Sequence, residues 1–350
     1  MHQKEVKRFF SLFEARTSNR IFILIIGGRG CGKSYESKRV EIDDFLTKGY
    51  QFILLRRYST ELDLTFDAYF NDISKQYPDH EFACEGGKIR TFYIDGKVAG
   101  YAISICQIKA IKSVSPDDIY NIVFDEFLPE DGQYIKRGGN PYFEVDQCFN
   151  LYQTIARRQG QAYKPGVRFY FLSNATDINN PYFKALNLAE QFARGSRKVK
   201  TGQIYAELLD SNDYGSIKEI RESQFGQLIA GTRYGRYALD NEFFNESKEF
   251  IKGKLPSGAK HLFNIRYMDV YYGVWADNSM GIFYFTDKHD PKCKHNYALT
   301  NIDHTINTAL IEQAKTLPQI KTIKEAYNNG YMYFKDQNCK FILLTFLGIS

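Results

Sequence analysis

The octet GGRGCGKS, Gly27 to Ser34, has the spacing Gly-x4-Gly-Lys-Ser: Gly27, the spacers Gly28, Arg29, Gly30 and Cys31, then Gly32, Lys33 and Ser34. It sits between the apolar run IFILII and the polar, helix-compatible YESKRVEIDDFL. A strand–loop–helix of this kind lets successive backbone N–H groups curl onto phosphate oxygens, and the helix adds the positive end of its dipole. In that setting Lys33 reaches the β- and γ-phosphates and Ser34 ligates Mg2+. ATP and Mg2+ are the expected substrate and cofactor.

A phosphate cradle needs acids opposite it, and NIVFDEF supplies two. Asp125 ends an apolar strand, where it holds Mg2+ through water, and Glu126 follows, placed to polarise the attacking water. That glutamate role belongs to ATPases with an additional strand between the two motifs, and the runs QFILLRR and GYAISICQI both fall between them. RFYFLSN ends in Ser173 and Asn174, polar groups suited to bonding the γ-phosphate or the lytic water. The chain has no N-K-x-D or T-K-x-D guanine reader, which weakens a GTPase reading. A glutamate directly after Asp125 also suits water activation better than phosphoryl transfer to an acceptor.

These residues have to be positioned by elements, and the first half supplies them. RIFILII, QFILLRR, GYAISICQI, YNIVFDEF and VRFYFLSN are near-continuous apolar runs, as in a parallel sheet covered on both faces. KSYESKRVEIDDFLTKG, TFDAYFNDISKQYP and DQCFNLYQTIARRQG read as the covering helices, the first ended by Gly49 and the second by Pro78. EFACEGGKIRTFYIDGKVAGY reads as antiparallel, with Asp95-Gly96 as a tight hairpin turn. The fold expected is α/β: a P-loop NTPase of the additional-strand, catalytic-glutamate type, followed by a small α+β domain. The expected boundaries are 1–195 for the ATPase domain, 196–247 for a linker or lid, and 248–350 for the C-terminal domain.

Whole-chain properties set outer limits. With 350 residues, 43 % hydrophobic and 25 % charged, the composition is that of a globular protein of about two domains. The net charge of +5 permits a nucleic-acid partner without requiring one. Six scattered cysteines without a C-x-x-C pair point to reduced thiols. No signal peptide and no membrane span is expected, so a soluble intracellular protein is. His289, Cys293 and His295 in HDPKCKH are a weak zinc pattern without a fourth ligand.

GGRGCGKSY, QFILLRRYSTEL, YFNDISKQYPDHEF, FYIDGKVAGYAI, IVFDEF, LSNATDINNPYF, YGRYALDNEF and GVWADNSMGIFYF occur in that order. Together they resemble the phi29-like DNA-packaging ATPases of small tailed bacteriophages, from about residue 20 onward and more weakly past 300. The P-loop and acid motifs are common to many ATPases; the phrases between them carry the resemblance.

The resemblance implies a homomeric ring, a pentamer in that family, docked on the portal of an empty procapsid in the host cytoplasm. There it threads double-stranded DNA inward at the expense of ATP. Arg29 matches the arginine of the family's cradle. Arg157 or Arg158 in YQTIARRQG and Lys112 in CQIKAIKS match residues that enter the neighbouring subunit's site. A motor indifferent to sequence grips phosphates. The family's DNA-contacting loop is here RRYSTEL, with Ser59 in place of a lysine, which leaves Arg57 as the nearby candidate. Lys136 and Arg137 are further candidates, as are Arg194, Arg197, Lys198 and Lys200. The C-terminal domain resembles a vestigial RNase-H-like nuclease module. Asp269 and Asp277 do not make a convincing metal cluster, so no cleavage is expected, and contact with DNA or the portal is. A structural RNA partner is left open, as are two other readings: a terminase-type motor that also cuts DNA, and a nucleotide-gated structural ring without continuous turnover.

Overall fold

The protein is described by a computed structural model covering residues 9–87, 89–113, 117–130, 133–138, 140, 142–157, 166–178, 180–240, 254–310 and 317–349. The chain divides into two compact units, Met1–Leu188 with Arg197–Asn245, and Ala189–Ser196 with Glu246–Ser350.

The first unit is built on a nine-stranded sheet. Its strands are β1 Phe22–Ile26, β2 Gln51–Arg56, β3 Phe82–Glu85, β4 Arg90–Ile94, β5 Lys97–Ser104, β6 Ile119–Asp125, β7 Arg168–Ser173, β8 Lys198–Thr201 and β9 Ile204–Leu208. They lie in the order β3-β4-β5-β2-β6-β7-β1-β9-β8. From β5 to β9 every neighbouring pair is parallel, and the outer strands at both edges are antiparallel. Continuous apolar strands form the parallel part because both faces are covered. Helices α1 Phe13–Thr17, α2 Lys33–Lys48, α3 Ser59–Thr65, α4 Phe143–Ala156 and α5 Pro181–Ala185 supply cover. Helix α2 ends where glycine was expected to end it: Gly49 is left-handed at φ 71° and donates its N–H to the Phe45 carbonyl, while Tyr50 N–H donates to the Asp44 carbonyl. Asp95 (φ 52°) and Gly96 (φ 71°) make the two-residue turn between β4 and β5.

Three expectations need correcting. The strand standing between β1 and β6 is β7, which comes last of the three in sequence, rather than either run that precedes the acids. Segment 65–78 holds turns and a 3-10 turn at Ser74–Gln76 instead of a helix. Its Phe66, Tyr69, Phe70 and Ile73 are buried with Phe92, so packing of large rings overrides helix propensity there. Segment 196–247, expected as a linker or lid, supplies β8 and β9 to the large sheet. It also supplies three helices of the first unit, α7 Gly215–Glu222, α8 Gln224–Ile229 and α9 Arg233–Asp240. Short edge strands rich in Lys and Thr carry too little periodicity to be read from sequence.

The second unit contains helix α6 Ala189–Ala193 and a six-stranded sheet. Its strands are β10 Lys260–Tyr267, β11 Val270–Asp277, β12 Ile282–Thr286, β13 Asn296–Ala298, β14 Ala309–Leu310 and β15 Met332–Phe334. The order is β14-β13-β10-β11-β12-β15, an antiparallel β10–β11–β12 meander extended by parallel strands on both sides. Helices α10 Pro318–Asn328 and α11 Gln337–Leu347 complete it, with Phe263, Val274, Phe285, Ile323, Phe334 and Leu343 fully buried. Among the described residues no helix is long and apolar enough to cross a membrane.

Candidate nucleotide site

The loop Gly27–Gly32 joins β1 to α2, and its conformation depends on glycine. Gly30 sits at φ 81° and Gly32 at φ 90°, where a side chain is strained. A Cβ at Gly30 would also lie 2.6 Å from Ile220 Cδ1 of α7. The segment misread as a linker thus packs directly on the loop. Residues N-terminal to β1 close another side: Phe10 N–H donates to the Cys31 carbonyl at 2.9 Å.

Lys33 opens α2 and is buried. Its Nζ donates to the carbonyls of Gly27 (2.8 Å) and Gly28 (2.9 Å) and reaches Asn174 Oδ1 at 3.4 Å. A buried ammonium needs acceptors, and here the loop's own carbonyls provide them. They stand in for the oxygen atoms that an anion would bring.

Strand β7 ties this loop to the acids. Ser173 O accepts the Gly27 N–H at 3.0 Å on one side, and Leu172 O accepts the Glu126 N–H at 2.8 Å on the other. The cradle and the acidic turn therefore hang from adjacent carbonyls at one strand end. That is the carboxyl edge where ligands of open α/β sheets bind. Ser173 is spent on structure: its Oγ accepts from Leu128 N (3.2 Å) and donates to Leu128 O (3.1 Å). Asn174, by contrast, faces Lys33.

Asp125 ends β6, and Glu126 follows at φ 63°, a left-handed conformation unusual for glutamate. Such local strain costs roughly 1–3 kcal/mol and persists only where the surroundings enforce it. The Glu126 side chain is 67 % exposed and bonded to Arg56, the last residue of β2, at 2.9 Å. Arg56 also lies 3.5 Å from Asp125 Oδ2. Sequence reasoning passed over Arg56, because nothing in the doublet Arg56-Arg57 says which side chain faces the acids. A cavity of about 360 Å3 lined by Arg29, Tyr58, Glu126, Ser173 and Asn174, among others, opens here, and Arg29 pairs with Glu130 across its rim.

The chain's similarity to known proteins agrees with this geometry. A family profile described as Podovirus DNA encapsidation protein (Gp16) matches residues 6–347. The chain belongs to this family. It is 38 % identical over 331 residues to the DNA packaging protein of Bacillus phage phi29, covering 94 % of each chain. It is similar, at TM-score 0.61 and 35 % identity, to a subunit of the bacteriophage Phi-29 viral genome packaging motor assembly, over 95 % of this chain and 97 % of that one. It also resembles the N-terminal domain of the DNA packaging ATPase from bacteriophage phi29, at TM-score 0.51 and 37 % identity. That match covers 59 % of this chain and 99 % of that one. The first unit is accordingly an α/β fold of the P-loop type.

Other expected positions fall in different places on this Gp16-family chain. Arg57 was a candidate for DNA, and the structure contradicts that: it is 3 % exposed and bonded to the buried Glu144. Lys136 and Arg137 are exposed. Lys198 and Lys200 pair with Glu14, Arg194 pairs with Glu190, and Arg197 Nη1 lies 3.4 Å from Leu209 O. Arg157 caps the end of α4 and is exposed, whereas Arg158 lies outside the described residues, as does the side chain of Lys112. In the second unit Asp277 is engaged as a turn cap, accepting from Ser279 N (2.9 Å) and Met280 N (3.3 Å), and Asp269 pairs with Arg266. His289, Cys293 and His295 line a separate cavity of about 980 Å3. Among the described residues no three His, Cys, Asp or Glu side chains gather as a metal site.

Proposed function

We propose that the chain is the ATP-driven motor that packages double-stranded DNA into a phage procapsid. The observation carrying this reading is the suspension of the Gly27–Ser34 loop and the Asp125–Glu126 turn from adjacent carbonyls of β7, with Lys33 already buried in the loop. The names of the phi29 relatives supply DNA packaging as the work done.

ATP is the substrate. Its phosphates take the place of the Gly27 and Gly28 carbonyls around Lys33, and the loop amides bind the rest. Ser34 and Asp125 would hold Mg2+, which supplies charge neutralisation on the phosphate oxygens. Glu126 takes the proton of the attacking water once it leaves Arg56. Asn174, between the two motifs, is suited to sensing the γ-phosphate through Lys33.

In this reading the protein works as a homomeric ring, a pentamer as in the phi29-like family, on the portal of the procapsid in the host cytoplasm. Arg157 or Arg158, with Lys112, enters the neighbour's site and makes hydrolysis conditional on that neighbour. The exposed Lys136 and Arg137 are the candidates to touch DNA phosphates. The ATPase domain takes in the first unit, and the C-terminal domain is an RNase-H-like module that has lost cleavage. Support for the latter is the antiparallel meander extended by parallel strands, together with the engagement of Asp277 and Asp269 in local contacts.

Steady-state hydrolysis by the purified chain, with and without double-stranded DNA of unrelated sequences, tests this function. The motor reading expects multiple turnovers stimulated by any of the duplexes and weakened by salt. A nucleotide-gated structural ring expects no DNA-stimulated turnover.

A further inference from the structure

The guanidinium of Arg57 is the centre of a buried junction. Its Nε and Nη2 donate to the two carboxylate oxygens of Glu144 at 3.0 and 2.8 Å, a bidentate pair 4 % and 0 % exposed. Two further bonds go to the catalytic turn: Nη1 to the Glu126 carbonyl at 3.2 Å and Nη2 to the Phe127 carbonyl at 2.8 Å. The guanidinium also lies over the Phe124 and Tyr134 rings, 5.4 and 5.7 Å from their centroids. Burial pulls its pKa down, and the bonds to Glu144 outweigh this and leave it raised.

Glu144 reaches two further segments. Its Oε1 accepts from the Tyr182 hydroxyl of α5 at 2.8 Å, and its Oε2 accepts from Ile135 N–H at 3.0 Å. Ile135 adjoins Lys136 and Arg137, and Glu144 lies in the first turn of α4, whose far end is capped by Arg157. One arginine–glutamate pair thus joins the backbone of the catalytic turn, the loop with the DNA-facing candidates, and the helix that ends at the trans-acting candidate. Arg57 also lines the cavity that holds Glu126 and Asn174, but its bonds are to Glu144 and the catalytic turn and not to the Gly27–Ser34 loop.

We propose that Arg57 and Glu144 form a positioning clamp that makes these three segments move together. A shift of loop 133–138 or of α4 is thereby passed to the setting of Glu126. The planar, five-donor guanidinium suits this: it bonds a carboxylate and two carbonyls at once, and a lysine ammonium cannot reproduce that fork. The proposal rests on the reading of Glu126 as the base.

The test uses the full-length chain with Arg57→Lys, Glu144→Gln and the charge-free double variant Arg57→Met/Glu144→Met. Removing both charges often restores a fold that a single loss would weaken. For each, kcat and KM for ATP are measured with and without duplex DNA, alongside the Tm. A clamp predicts kcat lowered about tenfold or more, KM within about twofold, and DNA stimulation lost in every folded variant. The double variant is then no more active than the singles even where its Tm recovers. A purely structural pair predicts that activity returns with the Tm. That result, or a folded single variant with the wild-type kcat and DNA response, overturns the proposal. Glu126→Gln is assayed in parallel: if it hydrolyses ATP normally, the base assignment has failed and not the clamp.

Discussion

The guanidinium of Arg56 lies 2.9 Å from Glu126 Oε2 and 3.5 Å from Asp125 Oδ2, so one cation at the end of β2 holds both acids of the site. Its Nε is buried without a hydrogen-bond partner among the described residues, so its polar contacts with the acids run through the Nη atoms. With Asp125 as the proposed Mg2+ ligand, Arg56 would compete with the metal for that carboxylate.

Replacing Arg56 by Ala removes that competitor. The Mg2+ concentration that half-saturates binding of a fluorescent ATP analogue should fall. A partly exposed pair is worth at most about 1 kcal/mol, or roughly fivefold. An unchanged or raised Mg2+ requirement would contradict the arrangement.

Lys33→Ala should weaken ATP binding itself. Charge-assisted hydrogen bonds contribute about 1.5–3 kcal/mol, so calorimetry with a non-hydrolysable analogue should show roughly a 10- to 100-fold loss. Wild-type affinity would argue against the cradle.

Glu126→Gln keeps shape and removes the base. Nucleotide affinity should stay within about threefold while kcat drops by roughly 10²–10⁴, as read in single-turnover hydrolysis.

Glu41, on α2, gives the protein a pH-dependent stability. Burial raises its pKa to about 8, partly offset by the hydroxyl of Tyr69 donating to Oε2, while Oε1 has no partner. An acid whose folded pKa lies above its unfolded value stabilises fully below the unfolded pKa. That stability is lost as pH rises through the folded pKa. Glu41→Gln stays neutral throughout, so its Tm advantage over wild type should grow between pH 5 and 8.5, by more than about 2 °C. A Tm difference that does not change with pH would mean Glu41 is ionised in the fold.

Linear DNA incubated with the protein and Mn2+ should remain intact. Asp277 Oδ1 is engaged by its own turn and Asp269 by Arg266, and no cluster of acids that could hold metals occurs among the described residues. Degradation abolished by changing either aspartate would reverse this.

The parts of the candidate site set by local chemistry, the loop and the strand-end acids, were legible in the sequence as positions in the fold. Gly27 to Ser34 could be read because glycine spacing, a lysine and a preceding apolar strand act together within one turn. Asp125-Glu126 could be read because the apolar run Ile122–Phe124 of β6 leads straight into the acids. What escaped depends on partners distant along the chain. Arg56 and Arg57 are adjacent, and strand alternation sends one to the acids and the other to Glu144, 87 residues away. Sequence shows the doublet but not which face is buried, so Arg57 was placed near DNA. The strand separating the two motifs was misassigned for a related reason: apolar runs fix strands, and their order depends on crossovers. Residues 196–247 seemed a linker because β8 has one buried position, Val199, among exposed polar residues.

The central claim is that the amides of Gly27–Ser34 hold a triphosphate opposite Glu126. A crystal structure with Mg2+ and a non-hydrolysable ATP analogue tests it most directly. The account predicts the β- and γ-phosphates within the loop, with Lys33 Nζ moved from the Gly27 and Gly28 carbonyls onto their oxygens. A nucleotide bound elsewhere, with Lys33 still on those carbonyls, would contradict it.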